Sequence, residues 1–230
     1  PEITDLANCL NAMGARITGQ GTDTLTIEGV TSLSSATHQV VADRVEAGTF
    51  IMAAAMSGGS LTVRDIIPHH LDALFDVIRQ TGVGIDVGDN FVTVTADGRY
   101  KAQNVETQAY PGFPTDLQAQ FTAMMCLANG VSQISETIFE NRFMHVPELV
   151  RMGADISVDG RTAVIRGKGA LLAAPVMATD LRASVSLVLA GLATAGTTRL
   201  SHIYHLDRGY AELEAKLGAC GARLRRIHKS

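Results

Sequence analysis

An aspartate at the head of an apolar helix pattern occurs three times in this 230-residue chain, and that repeat limits the possible folds more than any single residue does. The three segments are Asp43-Arg-Val-Glu-Ala-Gly-Thr-Phe, Thr115-Asp116-Leu-Gln-Ala-Gln-Phe and Thr179-Asp180-Leu-Arg-Ala-Ser-Val. Each runs through apolar residues to a small-residue turn at Ser57-Gly58-Gly59, Asn129-Gly130 or Ala195-Gly196. A short strand pattern, a polar loop and a second helix pattern follow. The second helices stop at Gly82, Gly153 and Gly221.

Residues 1–29 read as the second half of a further unit, because Leu6–Ile17 is similar to Leu149–Ile156 around Gly14 and Gly153. The last unit has the opposite defect: its strand pattern Arg223–Ile227 has no returning strand after it. The chain also begins at Pro1. These features predict a piece of a longer protein that lacks an N-terminal portion. The polar stretch near residues 30–42 predicts a boundary, and Ala109–Pro114 joins the first full unit to the second.

Periodicity sets the coarse structure. Residues 46–56, 117–128 and 181–193 are apolar on all sides, which predicts buried helices. Leu71–Gln80, Pro147–Met152 and Tyr210–Leu217 predict shorter amphipathic helices. Strands are expected at Gly84–Val87, Ala154–Val158 and Ala222–Ile227, with hairpin turns at Gly88-Asp89-Asn90 and Asp159-Gly160. Three such units about a pseudo-threefold axis would place helices inside and sheets outside.

Composition suits an α/β body with a proper core, at 46% hydrophobic and 18% charged residues. A net charge of −4 gives no overall nucleic-acid footprint. No apolar run reaches the ~20 residues of a membrane span. Cys9, Cys126 and Cys220 are an odd set without paired or metal-ligand spacing, which argues for a reducing compartment, the cytoplasm, and against a disulfide frame or zinc. His145, His202 and His205 are not spaced as metal ligands either.

Asp43, Asp116 and Asp180 stand at equivalent positions. Each is a natural helix N-cap, and each could instead serve a ligand if several helix N-termini meet at one end of the domain. Arg142 and Arg208 lie in matching loops, and Arg182 follows Asp180 by two residues. They fit either inter-repeat ion pairs or the grip of carboxylate and phosphate groups. Arg223–Lys229 reads as a solvated edge strand.

The runs Phe113–Phe121, Glu136–Leu149, Met177–Ser184 and Ile203–Tyr210 closely resemble the UDP-N-acetylglucosamine enolpyruvyl transferase family, and the resemblance spans the chain. It implies an inverse α/β barrel-like domain of three βαβαββ-type units, with a cleft between two sister domains. Residues 1–41 correspond to the end of the first domain. Residues 42–230 correspond to the second, with repeats at about 42–108, 109–173 and 174–230. In that family the protein's N-terminal segment completes the second domain.

The resemblance also implies a reaction. The family transfers enolpyruvyl from phosphoenolpyruvate to the 3-hydroxyl of UDP-N-acetylglucosamine, without a metal or redox cofactor. By motif, Asp116 matches the base that contacts the sugar hydroxyl, Ile138 a backbone contact to the nucleotide sugar, and Arg208 a phosphoenolpyruvate ligand. Asp180, Arg182, Arg142 and Asp43 match other cleft residues. The family's general-acid cysteine lies in the other domain, so Cys126 is not expected to fill that role. Two alternatives stand beside this reading: a shikimate-pathway sister enzyme, and a non-catalytic sugar-nucleotide-binding module.

Overall fold

The computed structural model describes residues 1–227 and divides them into two compact units, Pro1–Asp43 and a larger one that begins at Arg44. In the small unit, helix α1 (Glu2–Ala12) precedes an antiparallel pair, β1 (Arg16–Thr18) and β2 (Thr26–Glu28). The Asn11 side chain spans the turn between helix and strand. It donates to the Ile17 carbonyl and accepts from the Ile17 amide, each at 2.8 Å. His38 meets the Asp5 carboxylate at 2.9 Å.

The larger unit repeats one plan. Its middle repeat is complete: β6 (Val105–Glu106), α4 (Gln118–Leu127), β7 (Val131–Ser135), α5 (Val146–Arg151), β8 (Asp155–Asp159) and β9 (Thr162–Arg166). The strands form one sheet in the order β6-β7-β9-β8, with β6 parallel to β7 and the β8–β9 hairpin antiparallel. The repeat before it has α2 (Arg44–Ser57), β3 (Gly59–Arg64), α3 (Asp72–Gln80), β4 (Gly84–Val87) and β5 (Phe91–Ala96), in a sheet ordered β3-β5-β4. The repeat after it has β10 (Pro175–Met177), α6 (Leu181–Leu192), β11 (Arg199–Ser201) and α7 (Leu213–Ala219), with β10 parallel to β11.

Helices α2, α4 and α6 pack against one another in the centre. Their sequences account for this. Ile51 and Met52 of α2, Phe121 and Met124 of α4, and Val185 and Leu187 of α6 are wholly removed from solvent. Each such side chain contributes roughly 1.5–3 kcal/mol by burial. A helix that is apolar on every side has no solvent face, so it belongs inside. Gly48 lets α2 approach closely: a Cβ there would lie 2.6 Å from Leu117 Cδ1 and 3.1 Å from Leu74 Cδ2.

The second helices α3, α5 and α7 end as the sequence predicts. Gly82, Gly153 and Gly221 follow them with φ of 95°, 87° and 97°, a region costly for residues that carry a Cβ. Short 3₁₀ turns at Pro68–Leu71, Thr115–Leu117 and Ile203–Arg208 join these elements.

Two expectations need correction. Residues 222–227 form no strand, so the edge strand predicted for Arg223–Lys229 is not seen, and residues 228–230 lie outside the described residues. A strand is defined by its hydrogen-bonded partner, and among the described residues none pairs with this segment. Arg226 instead donates to both carboxylate oxygens of Asp207, at 3.0 and 2.6 Å. Helix α7 starts at Leu213 rather than Tyr210, because Tyr210 turns into the core and is 1% exposed.

Candidate active site

Asp116 lies on the 3₁₀ turn that leads into α4, and it does not cap that helix. Its carboxylate is spanned by two guanidiniums: Arg142 donates to Oδ1 at 2.5 Å and Arg182 to Oδ2 at 3.2 Å. Charge-assisted bonds of this kind are roughly twice as strong as neutral ones. A carboxylate has about four acceptor sites, so two bonds leave room for a ligand hydroxyl. Asp116 remains 40% exposed in its side chain, so that capacity faces solvent.

Asp180 behaves differently from its repeat counterpart. Its Oδ1 accepts from the amides of Arg182 and Ala183, both at 2.9 Å, and it is the N-cap of α6. The simpler of the two readings open from sequence therefore describes Asp180, whereas Asp116 is held as an ion-pair centre. Asp43 closes the small unit and stands immediately before α2.

The partners of Asp116 are fixed in turn. The Arg142 guanidinium stacks 4.7 Å from the Phe139 ring centroid. Arg182 sits in the first turn of α6 and also donates to the Tyr210 hydroxyl at 3.4 Å. Burial works against its charge, but the Asp116 carboxylate and Tyr210 outweigh that and hold its pKa above the ordinary value. The Tyr210 hydroxyl further meets Thr49 Oγ1 of α2 at 2.9 Å and Gln120 Nε2 of α4 at 3.4 Å. Gln120 donates as well to the Asp116 carbonyl at 3.0 Å. One buried hydroxyl thus ties together the N-terminal halves of all three central helices.

Beside Asp116 is a hollow of about 190 Å³ lined by Arg44, Tyr110, Pro114, Thr115, Asp116 and Ile138, among others. The Arg44 guanidinium lies 5.6 Å from the Tyr110 ring centroid. The Ile138 amide donates to Glu136 Oε1 at 2.9 Å, and its carbonyl accepts no hydrogen bond among the described residues. A larger hollow of about 510 Å³ opens where α2, α6 and α7 end, next to Ser57, Leu192 and Cys220. It contains none of the predicted site residues. The smaller one is lined by two of the predicted site residues, Asp116 and Ile138.

Arg208 ends the 3₁₀ turn Ile203–Arg208, is exposed, and forms no ion pair or side-chain hydrogen bond among the described residues. It makes no direct contact with Asp116. The connection runs through Tyr210, two residues on, to Arg182. The structure therefore brings Asp116, Arg142 and Arg182 together by direct bonds, adds Ile138 through the shared hollow, and leaves Arg208 unengaged nearby in the chain. Sequence reasoning missed Tyr210, Gln120 and Thr49. Their signal was present, since Tyr210 and Gln120 lie inside the quoted motifs, but a Tyr or Gln in an apolar pattern reads as core.

Cys126 is buried in α4, and its thiol, which donates to the Thr122 carbonyl at 3.2 Å, is pushed up to about 12 by burial. A group that holds its proton so firmly is a poor acid near neutrality. His145 is buried near Asp180 and Arg142. Burial lowers its pKa from 6.5 to about 4, with Asp180 opposing and Arg142 reinforcing.

The unfolded chain therefore takes up a proton below pH 6.5 that the folded protein refuses until about pH 4. Stability from this group is intact above pH 6.5 and is lost as pH falls through that window. The full loss is roughly 3 kcal/mol. Urea unfolding between pH 7 and 4.5 should show a steeper loss in the wild type than in His145→Leu. Equal slopes would show that His145 does not resist protonation.

Comparison with known proteins agrees with this architecture. A family model described as EPSP synthase (3-phosphoshikimate 1-carboxyvinyltransferase) matches residues 1–217. The UDP-N-acetylglucosamine 1-carboxyvinyltransferase of Geobacter metallireducens is 56% identical over 227 residues, which are 99% of this chain and 54% of that protein. That of Caulobacter sp. (strain K31) is 57% identical over 228 residues, 99% of this chain and 53% of that protein. The chain thus spans about half the length of the curated relatives it matches.

Among solved structures, the enolpyruvyl transferase NikO from Streptomyces tendae superposes with a TM-score of 0.84 at 31% identity, covering 96% of this chain and 53% of that one. An EPSP synthase from Acinetobacter baumannii shares the fold, with a TM-score of 0.74 at 16% identity over 97% of this chain and 55% of that one. Among the described residues no helix is long and apolar enough to cross a membrane. With the three-repeat domain in place and a family model matched along nearly all of its length, this chain belongs to the EPSP synthase family of enolpyruvyl (carboxyvinyl) transferases.

Proposed function

We propose that this chain is the C-terminal portion of a UDP-N-acetylglucosamine 1-carboxyvinyltransferase of the cytoplasm, the enzyme of the first committed step of peptidoglycan synthesis. It joins the enolpyruvyl group of phosphoenolpyruvate to the 3-hydroxyl of UDP-N-acetylglucosamine and releases phosphate. The observation that carries this reading is the Asp116 carboxylate, held between Arg142 and Arg182 at the rim of a hollow with acceptor capacity to spare. Identity supports the choice of acceptor: 56% to relatives of that name, against 16% to an EPSP synthase structure.

In this reading Asp116 accepts the proton of the sugar 3-hydroxyl as its oxygen bonds to C2 of phosphoenolpyruvate. C3 takes a proton from the general-acid cysteine of the other domain, which gives a tetrahedral adduct. Loss of a C3 proton and departure of phosphate then restore the double bond. Arg142 and Arg182 orient the base, and Arg208 binds the phosphoenolpyruvate anion. Asp180 sets the first turn of α6 on which Arg182 rides. The Ile138 backbone contacts the nucleotide sugar, and Asp43 is a further substrate-binding residue. Residues 1–41 form the end of the first domain and 42–230 the second. The rest of the length seen in the relatives supplies the opposite wall of the cleft, so residues 1–230 alone are inactive.

The test is phosphate release by the full-length protein from phosphoenolpyruvate with each of two acceptors, UDP-N-acetylglucosamine and 3-phosphoshikimate. Turnover with the first alone is expected. Turnover with the second alone would make this the sister enzyme. Binding of the nucleotide sugar without phosphate release would make it a binding module.

A further inference from the structure

Glu136 is the first residue beyond β7 and is 1% exposed, yet no Lys, Arg or His pairs with it among the described residues. A buried carboxylate in that position is costly unless its oxygens are filled. Four donors fill them. Oε1 accepts from Thr107 Oγ1 at 2.8 Å, from the Ile138 amide at 2.9 Å and from the Phe139 amide at 3.1 Å. Oε2 accepts from Thr115 Oγ1 at 2.9 Å. Thr107 follows β6 and is anchored to β7 by its amide, which donates to the Ser135 carbonyl at 2.9 Å.

These donors belong to the segments that build the site. Thr115 precedes Asp116 on the same 3₁₀ turn and lines the hollow. Ile138 lines it from the facing loop. Phe139 supports the Arg142 guanidinium, which in turn holds Asp116. We infer that Glu136 is a positioning residue for the nucleotide-sugar side of the site, setting the separation between the Asp116 turn and the Ile138–Arg142 loop.

The anion suits this role better than an amide would. A carboxylate accepts at both oxygens, whereas glutamine has one acceptor and must turn a donor toward Thr115 or toward the amides. The Thr115 hydroxyl can rotate to accept, so Glu136→Gln keeps most of the frame. Glu136→Ala leaves the Ile138 and Phe139 amides without their acceptor and frees the loop.

This inference rests on the proposed acceptor, so wild-type turnover of UDP-N-acetylglucosamine is measured first; its absence sinks that proposal. Given turnover, Glu136→Ala in the full-length protein should raise KM for the nucleotide sugar tenfold or more. KM for phosphoenolpyruvate should change less than threefold, and Glu136→Gln should recover most of the loss. A variant that melts earlier or contains less active protein, with KM for the sugar unchanged, would reduce Glu136 to a structural role and overturn the inference. If Glu136→Ala does not fold, Thr115→Val removes one donor, and its KM for the sugar should rise at least threefold. An unchanged value there also overturns it.

Discussion

Asp116→Asn in the full-length protein should lower kcat by about a hundredfold to ten-thousandfold, the usual contribution of a positioned base. Asparagine matches aspartate in shape but does not take up a proton at neutral pH. A second effect follows from the geometry. Arg142 donates to one oxygen and Arg182 to the other, so whichever way the amide turns, its NH₂ group faces a guanidinium. That clash of donors will loosen the arginines and raise KM for the sugar. The two effects separate in kinetics, because loss of the base appears in kcat and loss of order appears in KM. A variant with near-wild-type kcat would refute the base. A fall of less than tenfold together with a raised KM would assign Asp116 to binding alone.

Arg208→Ala should act on the other substrate. Its guanidinium is exposed and free of internal ion pairs among the described residues, whereas Arg142 and Arg182 already serve Asp116. A hydrogen bond to a charged group is worth about 1.5–3 kcal/mol, which corresponds to roughly a tenfold to hundredfold rise in KM for phosphoenolpyruvate. The KM for UDP-N-acetylglucosamine should move little. The phosphoenolpyruvate effect should shrink as salt increases, because an exposed cation is screened. An unchanged dependence on phosphoenolpyruvate would remove Arg208 from the site.

Family and architecture were legible in the chain. The helix-stopping glycines at 82, 153 and 221 adopt a positive φ that residues with a Cβ rarely take, so a local rule carries through to the fold. The hairpin turns at residues 88–90 and 159–160 are local in the same sense. The contrast between Asp116 and Asp180 was not legible. Both head helices in equivalent segments, yet one is spanned by two arginines and the other caps its helix. What separates them is the approach of Arg142 from a loop 26 residues away and of Arg182 from the next repeat.

The polar hub at Tyr210 has the same origin. Thr49, Gln120 and Tyr210 each resemble core residues with an incidental polar atom when read along the chain. Their hydroxyl and amide groups find one another only because three helices converge, and |i−j| for Thr49 and Tyr210 is 161. The strand expected at residues 222–227 failed for the converse reason. Its composition permits a strand, but pairing depends on a neighbour that local sequence does not supply.

Periodicity, turn chemistry and motif are short-range properties, and they were enough to specify the repeated helix–strand plan, the family and the residues worth suspecting. Which aspartate caps its helix and which is spanned by two arginines, and why a buried Glu136 has no cation beside it among the described residues, are long-range properties. They depend on hydrogen-bond partners brought together by packing of the repeats, and electrostatic energy depends on those distances rather than on separation along the chain.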